Sequence, residues 1–298
     1  WFMKFDQVPT NQPKPKAFSR IDPDINLSVH FQATKNLAIE ATFDRIRQYY
    51  HSLEGLPIGW SLDMIVPSGK TIDPETAIQG NLGTVLSLGD HSASIGGFYK
   101  KMDNLVFYKH AETLFNGALS AWEDYVETGE GDSYGGEFLY EYEHGDIYAR
   151  ASYTLSWSNR FNFEEVNDGN PFHAKFDRRH VLNLTAQWKG ISLSFVYQSG
   201  HWENGAPQKY NMHIPGSEWT AEYYAGVNRF HMPDVIRLDL GYQHSFMTKS
   251  VRHDLNVGIC NVTNHFNPFM LYYDSREEEW KAIALLPILP NFSYRIEF

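Results

Sequence analysis

Residues 179–198 read RHVLNLTAQWKGISLSFVYQ, and the two halves of this stretch decide the fold. In the first, Leu182, Leu184, Ala186 and Trp188 alternate with Val181, Asn183, Thr185, Gln187 and Lys189. In the second, Ile191, Leu193, Phe195 and Tyr197 alternate with Ser192, Ser194, Val196 and Gln198. Side chains on an extended chain point to opposite faces in turn, so each half is a strand with one dry face and one wet face. The single glycine between them leaves room only for a tight turn, which makes the pair an antiparallel hairpin.

The same alternation extends outward in both directions. Ile236, Leu238, Leu240 and Tyr242 alternate with Arg237, Asp239, Gly241 and Gln243. Phe292, Tyr294, Ile296 and Phe298 alternate with Asn291, Ser293, Arg295 and Glu297. Helical periodicity is hard to find. Eleven strands are expected, near 23–33, 36–49, 78–89, 92–109, 133–143, 146–157, 178–189, 191–200, 234–246, 251–263 and 288–298. At about 9–14 residues they exceed the usual strand of a soluble sandwich and suit a tilted bilayer crossing, which needs about 9–11.

The connections sort by parity. Those at 33–35, 90–91, 144–145, 189–190 and 247–250 are short, and those at 51–77, 110–132, 158–176, 201–232 and 264–287 are long. Strict alternation of short and long is the layout of an outer-membrane barrel, with tight periplasmic turns and large extracellular loops. Aromatics gather at strand ends (Trp157, Trp188, Tyr197, Tyr242, Phe246, Phe292 and Phe298), where an interfacial girdle belongs. The expected fold is therefore all-β, an antiparallel transmembrane β-barrel wall.

Composition narrows the function. The 298 residues are 42% hydrophobic and 15% aromatic, which excludes wholesale disorder. With 25 Lys and Arg against 36 Asp and Glu, the charge of −11 argues against a nucleic-acid partner. One cysteine, Cys260, excludes a disulfide scaffold and a cysteine zinc site. The start has no signal-peptide pattern, and the most apolar run, 282–289, is broken by Pro287.

Several motifs, taken in order, resemble the C-terminal barrel of TonB-dependent outer-membrane transporters of the Bacteroidetes type. They are Tyr99-Lys-Lys-Met-Asp-Asn-Leu105, Ser133-Tyr-Gly-Gly-Glu137, Ala151-Ser-Tyr-Thr-Leu-Ser156 and Phe176-Asp-Arg-Arg-His180 with Tyr197-Gln-Ser-Gly200. Asn228-Arg-Phe-His-Met-Pro233, Asn261-Val-Thr-Asn264 with Asn267-Pro-Phe269, and the closing Phe292–Phe298 complete the series. The ending Leu286-Pro-Ile-Leu-Pro290 is more like the group carrying an N-terminal carboxypeptidase-regulatory-like domain than the lipoprotein-lidded glycan importers.

This resemblance implies a barrel of about 22 strands filled by a plug. Residues 23–298 would be its last eleven strands and 1–22 the remnant of an extracellular loop. A terminal Phe298, with Phe292, Tyr294 and Ile296 on its face, looks like the signal read by the barrel assembly machinery. The implied partners are outer-membrane lipid, an N-terminal half-barrel and plug on the same or another chain, TonB acting through that plug, and a surface lipoprotein. The implied function is nutrient import of siderophore, glycan or peptide class, without enzymatic chemistry or cofactor. The first strand, near Asp24–Gln32, is expected to pair with strands outside this chain. Two other readings stand beside it: a transporter-fold barrel serving as a structural subunit, and a soluble carbohydrate-binding or hydrolytic β protein.

Ligand contact is expected from aromatic and amide side chains on the long loops: Trp202, Asn204, Trp219, Tyr223, Tyr224 and Asn228. The alternative for each is packing between loops. The 13 histidines lack metal-ligand spacing. Asp177-Arg178-Arg179-His180, at the re-entry of a long loop, reads as an ion-pair and hydrogen-bond network at the rim. Adjacent strand residues face opposite ways, so the four do not converge alone.

Overall fold

The computed structural model describes residues 22–53, 64–109, 122–203, 208–214, 217–223, 226–274, 277 and 279–298. Eleven consecutive strands form one antiparallel meander. They are β1 (Ile25–Gln32), β2 (Leu37–Gln48), β3 (Glu75–Leu88), β4 (His91–Tyr108), β5 (Val126–His144), β6 (Ile147–Phe161), β7 (His180–Trp188), β8 (Ile191–Gln198), β9 (Val235–Thr248), β10 (Val251–Cys260) and β11 (Leu289–Glu297). Each pairs only with its chain neighbours, apart from a two-residue strand, Phe172–His173, added beside β6. No described helix is long and apolar enough to cross a membrane.

Register carries the alternation across the whole sheet. Leu27 lies opposite Phe43, Leu82 opposite Gly97, Ile95 opposite Phe138, and Phe138 opposite Tyr153. The row continues through Leu182, Tyr197 and Ile236, and on the same face Tyr242 lies opposite Val257, which lies opposite Phe292. This face is apolar and bare: Val29 is 64% exposed, Leu82 62%, Ile95 63% and Phe292 70%. A contiguous apolar surface of this extent is incompatible with water and suits acyl chains. The opposite face carries Glu40, Asn81, Ser94, Lys100, Glu141, Arg150, Asn183, Ser194, Asp239 and Arg295.

The wall is a single layer, so its core lies elsewhere. Two apolar clusters form among the loops and strand tops at one end. One joins Leu53, Val66, Ile72, Val106 and Val126, with Tyr108 and Trp122 against it. The other joins Met102, Leu105, Phe163, Val166 and Phe172. Strand β5 starts at Val126, earlier than the alternation near 133–143 predicts. Its first residues pair with Leu105–Tyr108 past an irregularity at Asn104, which takes φ 61° and donates its amide to the Pro74 carbonyl at 3.1 Å. The sequence pattern misses this extension because those residues pack into loop clusters, not against lipid.

The turns at the other end are tight. At Lys189–Gly190 both residues have positive φ, 45° and 86°, the conformation that matches the twist of a two-residue hairpin. A Cβ on Gly190 would lie 2.2 Å from the Gln243 carbonyl, so only glycine fits. Among the described residues neither β1 nor β11 has a partner on its outer edge, and every residue of both strands is exposed. The described sheet is open.

Candidate functional site at the extracellular rim

The long connections collect where the tops of β4 to β9 meet, and a few side chains stitch them into one body. The Glu127 carboxylate accepts the backbone N–H of Glu164, that of Glu165 at 3.0 Å and that of Val166 at 3.1 Å. Three successive amides around one carboxylate fix the start of the 162–179 loop, in the manner of a backbone anion nest. Asn167 and Asp168 then take φ 56° and 54°, where Asn and Asp are the best tolerated non-glycine residues. The Asn167 Oδ1 accepts the Val227 N–H at 3.1 Å, which ties this loop to the end of the next.

Asp177 is the centre of the network. Its side chain is 1% exposed, and it accepts the Ser158 N–H at 3.0 Å, His173 Nδ1 at 3.1 Å and Arg179 Nη2 at 3.5 Å. A buried carboxylate needs this saturation. The ionised carboxylate only accepts, so His173 carries its hydrogen on Nδ1. The His173 ring stacks on Trp202, with centroids 4.1 Å apart and planes 6° from parallel, and His231 meets Trp202 edge-on at 4.8 Å.

Arg178 faces away from Asp177. Its guanidinium donates to the Ser199 carbonyl at 3.0 Å and to His201 Nδ1 at 3.2 Å. Burial pushes the Arg178 pKa down. Arginine cannot accept, so His201 holds its hydrogen on Nε2 and donates it to Glu203 at 3.0 Å. His180 reaches a different neighbour, the Tyr153 hydroxyl, at 2.8 Å. The rim network expected of residues 177–180 is present, with Asp177 and Arg179 converging and the other two diverging.

Of the expected ligand contacts, Trp202 and Asn228 come together through His173. Trp202 stacks on its ring, and the 3%-exposed Asn228 donates its amide to the His173 carbonyl at 2.9 Å. Trp219 and Tyr223 lie in a hairpin of Gln208–Ile214 with Ser217–Tyr223, opposite Met212 and Gln208. Asn204 and Tyr224 lie outside the described residues. Sequence reasoning missed His173 and Glu127. Their partners lie in other segments, at Trp202 and Glu164–Val166, and no local spacing announces either contact. Among the described residues, no three His, Cys, Asp or Glu side chains gather as a metal site.

A meander with one lipid-type face, tight turns at one rim and packed loops at the other defines the wall of an outer-membrane β-barrel. Residues 22–264 match the family described as TonB dependent receptor-like, beta-barrel, and the chain belongs to that family. It is an outer-membrane protein, which sets aside the soluble reading. No curated protein matches the chain. Among solved structures it is similar to BauA, the ferric preacinetobactin receptor from Acinetobacter baumannii, at 14% identity and TM-score 0.55, over 92% of this chain and 36% of that one. The ferripyoverdine receptor of Pseudomonas aeruginosa, at 13% identity and TM-score 0.52, is covered to 32% by 90% of this chain. The ferric citrate transporter FecA gives 14% identity and TM-score 0.50, over 92% of this chain and 37% of that one. The chain thus spans about a third of the length of these structures, and at such identities they show the fold alone.

Proposed function

We propose that this chain supplies part of the barrel wall, extracellular loops and the C-terminal assembly signal of an outer-membrane receptor that imports a scarce nutrient using energy delivered through TonB. The observation that carries this reading is the gathering of the long connections at one end of the wall, where Asp177, Glu127 and Arg178 hold them in one arrangement. Preorganised loops lower the ordering cost of capturing a ligand. Trp202, Asn204, Trp219, Tyr223, Tyr224 and Asn228 are the proposed contacts, offering stacking faces and amides to a chelate, glycan or peptide. Trp202 would present its ring, while Asn228 would position His173 behind it.

The bare edges of β1 and β11 support pairing with further strands, and the polar face of the wall supports a plug held inside it. TonB would act through that plug. The barrel assembly machinery would read Phe292, Tyr294, Ile296 and Phe298, which lie on the exposed lipid face. The Leu286–Pro290 ending favours the carboxypeptidase-regulatory-like group over the importers with a surface lipoprotein lid.

The test uses the full-length protein. Ferric chelates, oligosaccharides and peptides are screened by quenching of tryptophan fluorescence, and the bound class is then followed into cells. Import through TonB predicts that accumulation stops when the cytoplasmic-membrane proton gradient is collapsed, while binding to the purified protein persists. Accumulation indifferent to that gradient would refute the coupling. Binding without any accumulation would favour the structural-subunit reading.

A further inference from the structure

The lipid face is not uniform at its periplasmic rim. On β9 and its neighbours, Tyr242, His244, Phe246, His253 and Tyr294 form a continuous line of rings. Successive centroids are 6.2, 5.8, 4.8 and 5.9 Å apart, with planes within 7°, 27°, 16° and 14° of parallel. All lie on the face that carries Leu240, Ile259 and Phe292, toward the short-connection end of β9, β10 and β11. The His253 Nδ1 is 2.6 Å from the Tyr294 hydroxyl. With the phenol donating, the His253 hydrogen sits on Nε2, which makes no protein hydrogen bond among the described residues, and the same holds for both nitrogens of His244. A polar N–H at the hydrocarbon boundary is costly unless something on the lipid side accepts it.

Charge selects what that acceptor is. The connections beside this line are Lys189–Gly190 and Lys249–Ser250, each with a lysine and no acid. Both lysines are exposed, and neither makes a salt bridge among the described residues. The Gln243 N–H donates to the Gly190 carbonyl at 2.8 Å, which sets the Lys189 turn directly beside Tyr242 and His244. The Lys189 ammonium stands 5.7 Å from the centroid of the Trp188 ring. Lys249 closes the hairpin that pairs Phe246 with His253. The basic stretch ends at β7: Ile147 pairs with Trp188, which places the acidic Gly145–Asp146 connection next to the Lys189 turn. One connection further on, Asp90 is already bonded to His144 Nδ1 at 2.7 Å, so that histidine has its acceptor within the protein.

We propose that the β7–β11 segment of the periplasmic rim is a site for anionic phospholipid of the inner leaflet, with Lys189, Lys249, His244 and His253 binding the headgroup phosphate and Trp188 and Tyr242 flanking it. The occupant is a lipid because the polar groups continue, without a break, the apolar face of the wall. Basic clusters at a membrane surface recruit anionic lipid through charge, and imidazole N–H groups supply the short-range hydrogen bonds.

The test is native mass spectrometry of the full-length protein in mild detergent, with phosphatidylglycerol or phosphatidylcholine added. Heat-modifiable migration in SDS gels identifies folded variants. Phosphatidylglycerol is expected to be retained preferentially. The preference should fall about tenfold in Lys189→Asn with Lys249→Asn, where asparagine keeps the left-handed turn conformation. It should also fall in His244→Gln with His253→Gln, and stay unchanged in His91→Gln with His144→Gln. Equal retention of the two lipids, a preference preserved in either of the first two variants, or displacement of the lipid by excess inorganic phosphate would overturn the proposal.

Discussion

At the scale of single residues, the loop assembly depends on contacts that tolerate almost no change in volume or charge. A Cβ on Gly200 would sit 1.5 Å from the Met232 carbonyl, and Met232 is itself 1% exposed. Gly200→Ala is therefore expected to cost about 1–3 kcal/mol through forced movement of the 199–234 connection. Limited proteolysis should show faster cleavage there, with the wall strands still protected. His51 gives a second prediction. It is 2% exposed, with Nε2 3.0 Å from the Ser68 hydroxyl. Burial lowers its pKa, against an opposing backbone contact from Asp73. The open form then binds the proton more readily than the packed one, so the stabilisation is complete above the ordinary histidine pKa of about 6.5 and is lost as pH falls below it. Hydrogen exchange in the hairpin of Tyr50–Leu53 with Met64–Pro67 should accelerate on acidification, and His51→Gln should flatten that dependence.

At the scale of elements, the two faces of one strand make opposite predictions. Ile95 lies on the bare face of β4, four residues in from His91, and Ser94 points into the polar side. Ile95→Lys is expected to destabilise the folded protein by about 2–4 kcal/mol in lipid, while Ser94→Lys changes little. Urea titration of the reconstituted full-length protein separates the two. This contrast also explains what was legible in the sequence. Stretches such as Leu182-Asn183-Leu184 reveal their strand because lipid on one side and water on the other write a period of two into the residues themselves. Short turns such as Lys189–Gly190 follow directly. The loop site was only half visible: Asp177 to His180 announced a network by its mixed charges. That Trp202 rests on His173, and that Glu127 collects the amides of 164–166, depends on contacts between segments about 30 or more residues apart. No periodicity encodes such pairs.

At the scale of the whole molecule, the described residues form a curtain of eleven consecutive strands with two bare edges and one greasy face. The terminal Phe298 is 99% exposed and ends the aromatic series of β11. If that series is the assembly signal, Phe298→Ala should slow insertion of the full-length protein into the outer membrane several-fold, read as accumulation of the form that does not show heat-modifiable migration. The central claim is that the alternation seen in every strand separates lipid from lumen. With Cys260 replaced by serine, single cysteines can be placed along Ser92–Tyr99 of the full-length protein and spin-labelled in lipid nanodiscs. Oxygen, which concentrates in the hydrocarbon, should reach the labels at 93, 95, 97 and 99 and be depleted at 92, 94, 96 and 98. Oxygen accessibility without a two-residue period, or with the opposite phase, would contradict the account.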